Sequence, residues 1–335
     1  MKRKRVYIFM FFVAVTVRGF GQQDPQFTQH MYTILPINPG FAGSTGICAS
    51  LHYRNQWMGF VDTDTTGKTY KTSPEDIMFT VHSNVKKLHG ALGLTVYNDK
   101  YGHQSDVTVK LGYAFKTNIA GGVLGVGPSF DFMSRQIKTD EFWAGQSADP
   151  LIWQNMGKTD MYFDVSLGAF YDMQGKWYAG LSATQLLSMI GGKTVNQKAS
   201  QHIYAVGGYE FEIPSNPNWT LKPCGLLKTD LKSVQIDATL IADWSQMFWV
   251  GVSYRAIDAV AILGGTRPFI NYTTPIRGLE AAISYDINTS KLMNYGRSFG
   301  GLEVSIKYCF KIVTKPTVSG YKGTRLLGNR PIEYR

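Results

Sequence analysis

Six histidines, His30, His52, His82, His89, His103 and His202, are the side chains best suited to proton transfer in this chain of 335 residues. Ser50 and His52 stand two apart, and with His82 and Asp237 they supply a nucleophile, a base and an orienting acid. Such a set hydrolyses a substrate only when its members lie within hydrogen-bond reach, and this spacing alone brings none of them together. Gly121, Gly122, Gly125 and Gly127 have the look of a phosphate loop, but they sit inside a strand pattern with no helix following. Close packing in a sheet is the simpler reading. Cys48, Cys224 and Cys309 are too few for a disulfide scaffold and lack metal-ligand spacing. There is no Walker loop, zinc pattern or nucleophile elbow. The residues therefore predict no catalytic or metal site and no cofactor.

The elements that must carry these residues are strands. In 107–115, Val107, Val109, Leu111, Tyr113 and Phe115 alternate with Thr108, Lys110, Gly112 and Ala114. Successive strand side chains point to opposite faces, so one face is apolar and the other polar. The same alternation runs through 47–54, 77–82, 161–171, 234–244, 279–286 and 302–310. Weaker versions occupy 90–98, 122–133, 176–187, 201–211, 219–228, 247–255 and 259–266, for about fourteen strands in all. The stretch before the first of them, 22–44, is different. Phe27, Met31, Tyr32, Ile34, Leu35, Ile37 and Phe41 make it apolar, while Pro25, Pro36 and Pro39 break any long helix. A segment so apolar and irregular is stable only when something packs against it.

The first 21 residues read as a signal peptide. Lys2, Arg3, Lys4 and Arg5 precede an apolar run, 6–17, and Gly19 and Gly21 stand at −3 and −1 of a cut before Gln22. No later apolar run is long enough for a membrane helix. The net charge of +10 is concentrated at the ends. Lys2, Arg3, Lys4, Arg5 and Arg18 leave with the signal, and Lys311, Lys315, Lys322, Arg325, Arg330 and Arg335 face only Glu333 in the tail. The body between them is close to neutral and has no basic face for nucleic acid.

Alternating strands build either a soluble sandwich or propeller with its apolar face inside, or a transmembrane barrel with its apolar face toward lipid. Three features favour an all-β, antiparallel transmembrane barrel. The strands often reach the nine to eleven residues that a tilted crossing needs. Trp57, Tyr113, Tyr171, Trp244 and Tyr308 stand near strand ends, where aromatic girdles lie. Arg54, Lys110, Asp131, Asp164, Asp237, Arg255, Glu280, Glu303 and Lys307 fall on polar faces, where a hydrated lumen tolerates them, and their mixed sign suggests cross-strand pairing. An even strand number puts both barrel ends on the periplasmic side. Outer loops then fall near 58–75, 99–105, 134–160, 188–200, 229–232, 256–258 and 287–300, and tight inner turns include 172–176 and 244–247. The link 267–277 is long for an inner turn. The chain divides into a signal peptide (1–21), an N-terminal segment at the periplasmic mouth or in the lumen as a plug (22–46), the barrel (47–310) and a basic periplasmic tail (311–335).

Several motifs carry a family resemblance. DPQFTQHMYTILPINPGFAGS at 24–44, RNQW at 54–57 and YNDKYG at 97–102 resemble the PorP/SprF outer-membrane proteins of the type IX secretion system. WYAGLSATQLL (177–187), LKPCGLLK (221–228), WVGVSYRAIDAV (249–260) and ISYDINTSKL (283–292) continue the match in order. Before the last strand the family often shows Ser-His-Glu, whereas this chain reads Gly301, Leu302, Glu303. The resemblance implies a non-enzymatic barrel of the outer membrane. It also implies partners: secreted or surface-anchored cargo, gliding adhesins included, and periplasmic secretion components, with outer-membrane lipid around the barrel.

Two expectations concern particular residues. A closed barrel pairs its first and last strands. Cys48 opens the first and Cys309 closes the last, both on the lumenal face, so they should approach across the seam and can form a disulfide. Partner contacts are expected at Asp24, Pro25, Phe27, Tyr32, Asn38 and Pro39 of the N-terminal segment and at Trp143 and Trp153 of the largest outer loop. The function expected is a membrane platform for secretion. A diffusion channel or transporter is the alternative.

Overall fold

The computed structural model describes residues 25–63, 67–138, 159–173, 175–187, 200–256, 258–267, 278–289 and 298–310. Fourteen strands form one antiparallel barrel in chain order. They are β1 (Ile47–Asn55), β2 (Glu75–Val85), β3 (Gly90–Tyr101), β4 (Gln104–Ile119), β5 (Gly122–Ile137), β6 (Thr159–Met173) and β7 (Trp177–Thr184), followed by β8 (His202–Tyr209), β9 (Trp219–Thr229), β10 (Val234–Trp244), β11 (Phe248–Arg255), β12 (Ala259–Thr266), β13 (Leu279–Asn288) and β14 (Gly301–Phe310). Each strand pairs with the next, and β1 pairs with β14, so the sheet has no free edge.

Burial separates the two architectures that alternation alone left open. On β4 the apolar residues Val107, Leu111 and Phe115 are 42%, 48% and 49% exposed, whereas Asp106, Thr108 and Lys110 are at most 6% exposed. The same inversion holds on β1, where Leu51 is exposed and Ser50, His52 and Arg54 are buried. In water an apolar belt of this extent would be untenable, whereas lipid solvates it. β4 and β5 have 16 residues each and β6 has 15, more than a crossing requires, so these strands extend beyond the bilayer.

The mouth where the chain enters β1 and leaves β14 is called proximal, and the other distal. Proximal turns are short between β4 and β5, where Ala120 and Gly121 both have positive φ, and between β10 and β11, where Ser245 and Gln246 do. Positive φ at both central residues is the geometry that matches hairpin twist. The 267–278 link is proximal as well, so its length does not disturb the strand count. The 201–211 strand stops at Tyr209, and Phe211–Glu212 resumes the pairing with β9. The distal 56–74 link holds a further hairpin, Val61–Thr63 with Thr69–Lys71.

Trp57 departs from the lipid-facing position expected of it. The backbone leaves β1 after Asn55, held by Gln56 N–H to the Pro74 carbonyl (2.9 Å) and Met58 N–H to the Gly300 carbonyl (2.7 Å). Trp57 takes φ 54° there and lines a cavity at the distal mouth. Tyr113 and Tyr171 do stand at the proximal rim, donating to the carbonyls of Leu88 (2.8 Å) and Ile119 (3.0 Å).

Candidate functional site

The lumen is occupied by the protein's own chain. Residues 25–44 run from the distal mouth to the proximal end as three short turns, His30–Tyr32, Ile34–Ile37 and Pro39–Phe41. Pro39 opens the last turn, where its missing N–H costs nothing. Asn38 caps that turn by accepting from Gly40 N–H at 3.0 Å.

Glu303 anchors the distal part of the segment. Its two oxygens accept the N–H groups of Thr28 (2.6 Å) and Gln29 (3.0 Å), and Arg54 Nε stands 3.2 Å from the same carboxylate. Thr28 Oγ1 donates to Asp286 at 2.8 Å and accepts from Arg255 Nη2 at 3.1 Å. Gln26 Nε2 donates to Asp237 at 2.7 Å. Charge-assisted bonds of this kind are about twice as strong as neutral ones.

The proximal part is held differently, by close backbone approach. Asn38 Nδ2 donates to the Ala169 carbonyl at 2.9 Å, and Gly43 N–H donates to His82 Nδ1 at 3.2 Å. Lys110 Nζ donates to the Pro36 carbonyl and Lys116 Nζ to that of Gly40, at 3.1 and 2.9 Å. Glycines in the wall make this contact possible. A Cβ on Gly125 would lie 2.2 Å from the Gly40 carbonyl oxygen, and one on Gly168 2.2 Å from Asn38 Oδ1. Gly125 belongs to the cluster that resembled a phosphate loop. Its role is to let the plug reach the wall.

Apolar contacts complete the packing of the segment against the wall. Ile34 packs with Phe170, Tyr204, Val206 and Leu226, Leu35 with Ala42, Ala91 and Ala114, and Phe27 with Met78 and Tyr97. Cavities of about 460 Å³ at the distal mouth and about 420 Å³ at the proximal one flank the segment. Where His30 and Thr33 meet Met78 and Tyr97 the space is about 40 Å³, close to the volume of one water.

His30 is fully buried, and removal from water lowers its pKa from 6.5 to about 4, with Arg255 also lowering it and Asp237 opposing. Burial and Glu280 push the Tyr32 phenol well up; its hydroxyl donates to Glu280 at 2.7 Å.

The hydrolytic grouping is not assembled. Ser50 Oγ and His52 Nε2 lie 3.0 Å apart, and Ser50 also bonds Thr80 at 2.6 Å. Asp237 is engaged by Arg255 (3.3 Å) and Gln26, and Phe27 of the plug stacks edge-on against His52. Several other lumenal charges pair, with Arg135 on Asp106 (2.8 Å), Lys110 on Asp131 (3.7 Å) and Arg267 on Asp243 and Glu280 (2.7 Å each), whereas Asp164 accepts the N–H groups of Val165 and Leu187. At the proximal seam Cys48 and Cys309 are register partners with Cα atoms 4.0 Å apart and form a disulfide.

Of the residues expected to meet partners, Pro25, Phe27, Tyr32, Asn38 and Pro39 belong to the plug. Phe27, Asn38 and Pro39 are buried in it, so the barrel wall is what they touch. Asp24, Trp143 and Trp153 lie outside the described residues. The spacing argument missed Glu303 as plug anchor and the glycine seat. Glycines recurring on polar faces, Gly112 and Gly168 among them, were the available signal.

The chain is similar in structure to the Pseudomonas putida toluene transporter TodX (9% identity, TM-score 0.43, covering 82% of this chain and 92% of that one). It is also similar to the Acinetobacter baumannii outer membrane protein Omp33 (9% identity, TM-score 0.42, covering 80% and 100%). Comparison with curated proteins gave no match. The sequence profile of the family described as type IX secretion system membrane protein PorP/SprF matches residues 19–308. An inside-out barrel matched by that profile over most of its length is an outer-membrane protein, and the chain belongs to the PorP/SprF family of the type IX secretion system.

Proposed function

We propose that the protein serves type IX secretion as a closed platform: a non-enzymatic barrel that holds a secreted or surface-anchored partner at one mouth and periplasmic secretion components at the other. The observation that carries this reading is the occupied lumen. Residues 25–44 are anchored by charge-assisted bonds distally and by backbone contact proximally. A diffusion channel would need a continuous aqueous path, and the plug leaves little room for one. The short proximal turns support placing that mouth in the periplasm and the long distal links outside. The plug's proximal end and the basic 311–335 tail would then meet the periplasmic machinery, and the loop bearing Trp143 and Trp153 would meet cargo.

Crosslinking in intact cells followed by affinity purification tests the proposal. Recovery of a secreted protein together with a periplasmic secretion component is the expected result. Recovery of neither, with a large stable current from the purified protein in planar bilayers, would replace the platform with a channel.

A further inference from the structure

The barrel wall is interrupted between β8 and β9. Pairing stops at Gly208 with Cys224 and resumes at Phe211 with Leu221, so Tyr209 and Glu210 fall opposite Pro223 and Lys222 without joining the ladder. Pro223 explains the gap. It has no N–H to donate and is rare inside a sheet for that reason. Its pairing with Leu240 of β10 persists, so the loss falls on the β8 side. Glu210 N–H turns the other way, to the Lys176 carbonyl at 2.7 Å. A side-chain ion pair, Lys222 Nζ to Glu210 at 3.4 Å, spans the gap instead. Beside it on the outward face Gly207 lies opposite Gly225, and neither has a side chain to cover the wall. Tyr209 and Phe211 flank the gap on the same face, 44% and 52% exposed, and Trp177 is the register partner of Tyr209. Such a group of outward aromatic residues marks the proximal membrane interface, where acyl chains begin.

Behind the gap is the proximal cavity. Tyr209 and Pro223 face outward by alternation, yet both line it, so the cavity reaches the interruption in the wall. Burial along β9 agrees. Leu226 and Lys228 are buried in alternation, whereas both faces are half-exposed from Trp219 to Gly225. Much of the lining is apolar, with Met31, Ile34 and Phe41 from the plug and Phe170, Ile241 and Trp249 from the wall. Its basic groups are already paired, Lys222 with Glu210 and Asp243, and Arg267 and Lys307 with Glu280. We propose that the β8–β9 gap is a side entrance, through which an acyl chain of a surrounding phospholipid lies in the proximal cavity against the plug. Continuity selects this occupant: the gap joins the lipid belt directly to an apolar chamber. The head group stays at the interface and only the chain passes the wall. A hydrocarbon chain fills such a chamber at lower free energy than water does. The volume, about 420 Å³, is that of an organic ligand site.

The entrance is independent of the platform reading and of barrel orientation, because it can be tested in proteoliposomes, where both leaflets hold phospholipid. The purified full-length protein is reconstituted in phosphatidylethanolamine carrying a trace of the same lipid with a diazirine on one acyl chain. After irradiation, adducts are mapped by peptide mass spectrometry. Outward residues such as Leu240 and Val250 should be labelled, and so should the plug peptide bearing Met31, Ile34 and Phe41, which lies behind the wall. A Tyr209→Cys/Pro223→Cys pair in a Cys224→Ser background staples the gap. Oxidised, it should lose the plug adducts and keep the outward ones, and dithiothreitol should restore them while leaving labelling of the wild type unchanged. Where the staple does not form, Gly207→Val covers the outer face instead; a Cβ there meets nothing closer than the Tyr178 carbonyl oxygen at 3.5 Å. It should reduce plug labelling alone. A plug free of adducts in the wild type would overturn the proposal. So would plug labelling that neither the staple nor Gly207→Val changes, since the lipid would then enter by the mouth.

Discussion

Glu303 shows how one side chain can hold an entire segment. A carboxylate that accepts two successive backbone N–H groups orients the chain as well as attracting it, and Arg54 fixes the carboxylate in turn. Glu303→Gln keeps the shape and removes the charge. A hydrogen bond to a charged group contributes about 1.5–3 kcal/mol, so the variant should exchange the amides of Thr28 and Gln29 roughly tenfold faster or more by hydrogen–deuterium exchange, while the barrel amides stay protected. Equal protection in both proteins would deny Glu303 this role. Its place on a polar strand face was legible from alternation, because Val304 and Ile306 flank it with apolar neighbours at period two. Its partner was not legible. The N-terminal residues that it binds are 274 and 275 positions away in sequence, and no local pattern encodes a contact of that range. The glycine seat was hidden for a related reason. Gly125 and Gly168 read as weak points of a strand until the Asn38–Gly40 turn is laid against them.

At the scale of elements, the plug and the seam respond to different conditions. His30 is seated neutral, with a pKa near 4 against 6.5 when released, and Asp237 and Arg255 are the charges that bear on it. The released state therefore binds the extra proton between these values, and plug stability falls as pH drops from about 6.5 to 4. Above 6.5 this effect is absent. In a pH series of thermal unfolding in detergent, the wild type should lose Tm more steeply across that window than His30→Gln. Parallel curves would show that His30 does not couple the plug to pH. The β1–β14 seam should be sensitive to reductant. Its disulfide joins residues 261 apart in sequence and closes nearly the whole barrel into a loop. Such a crosslink typically contributes about 2–4 kcal/mol, less than the chain-entropy model allows for so long a loop. Dithiothreitol should lower the Tm of the wild type and leave a Cys48→Ser/Cys309→Ser double variant unchanged. The strands themselves were readable because their period is two wherever one face meets lipid and the other the lumen. The plug turns were not, since Asn38 and Pro39 mark only the last of them and their apolar residues follow no period.

For the whole molecule the question is which mouth faces out. The barrel closes around its own N-terminal segment, so Pro25 stands at the distal mouth and Ser44 near the proximal end, although the chain enters β1 proximally. The plug therefore reports on both sides of the membrane at once. Pro25 and Gln26 stand at the distal end of the same short segment that Asn38 and Gly40 fix to the far wall, 12 to 15 residues further along. Two-sided contact of this kind means something only if the mouths open to different compartments. Single cysteines in a Cys224→Ser background settle the orientation, since Cys224 is the free thiol of the described residues. Lys68→Cys lies in the distal 56–74 link and Lys87→Cys in the proximal turn between β2 and β3. A membrane-impermeant maleimide added to intact cells should label Lys68→Cys and leave Lys87→Cys unmodified until the outer membrane is permeabilised. The reverse pattern would turn the barrel over, placing the distal cavity in the periplasm and the seam disulfide at the cell surface.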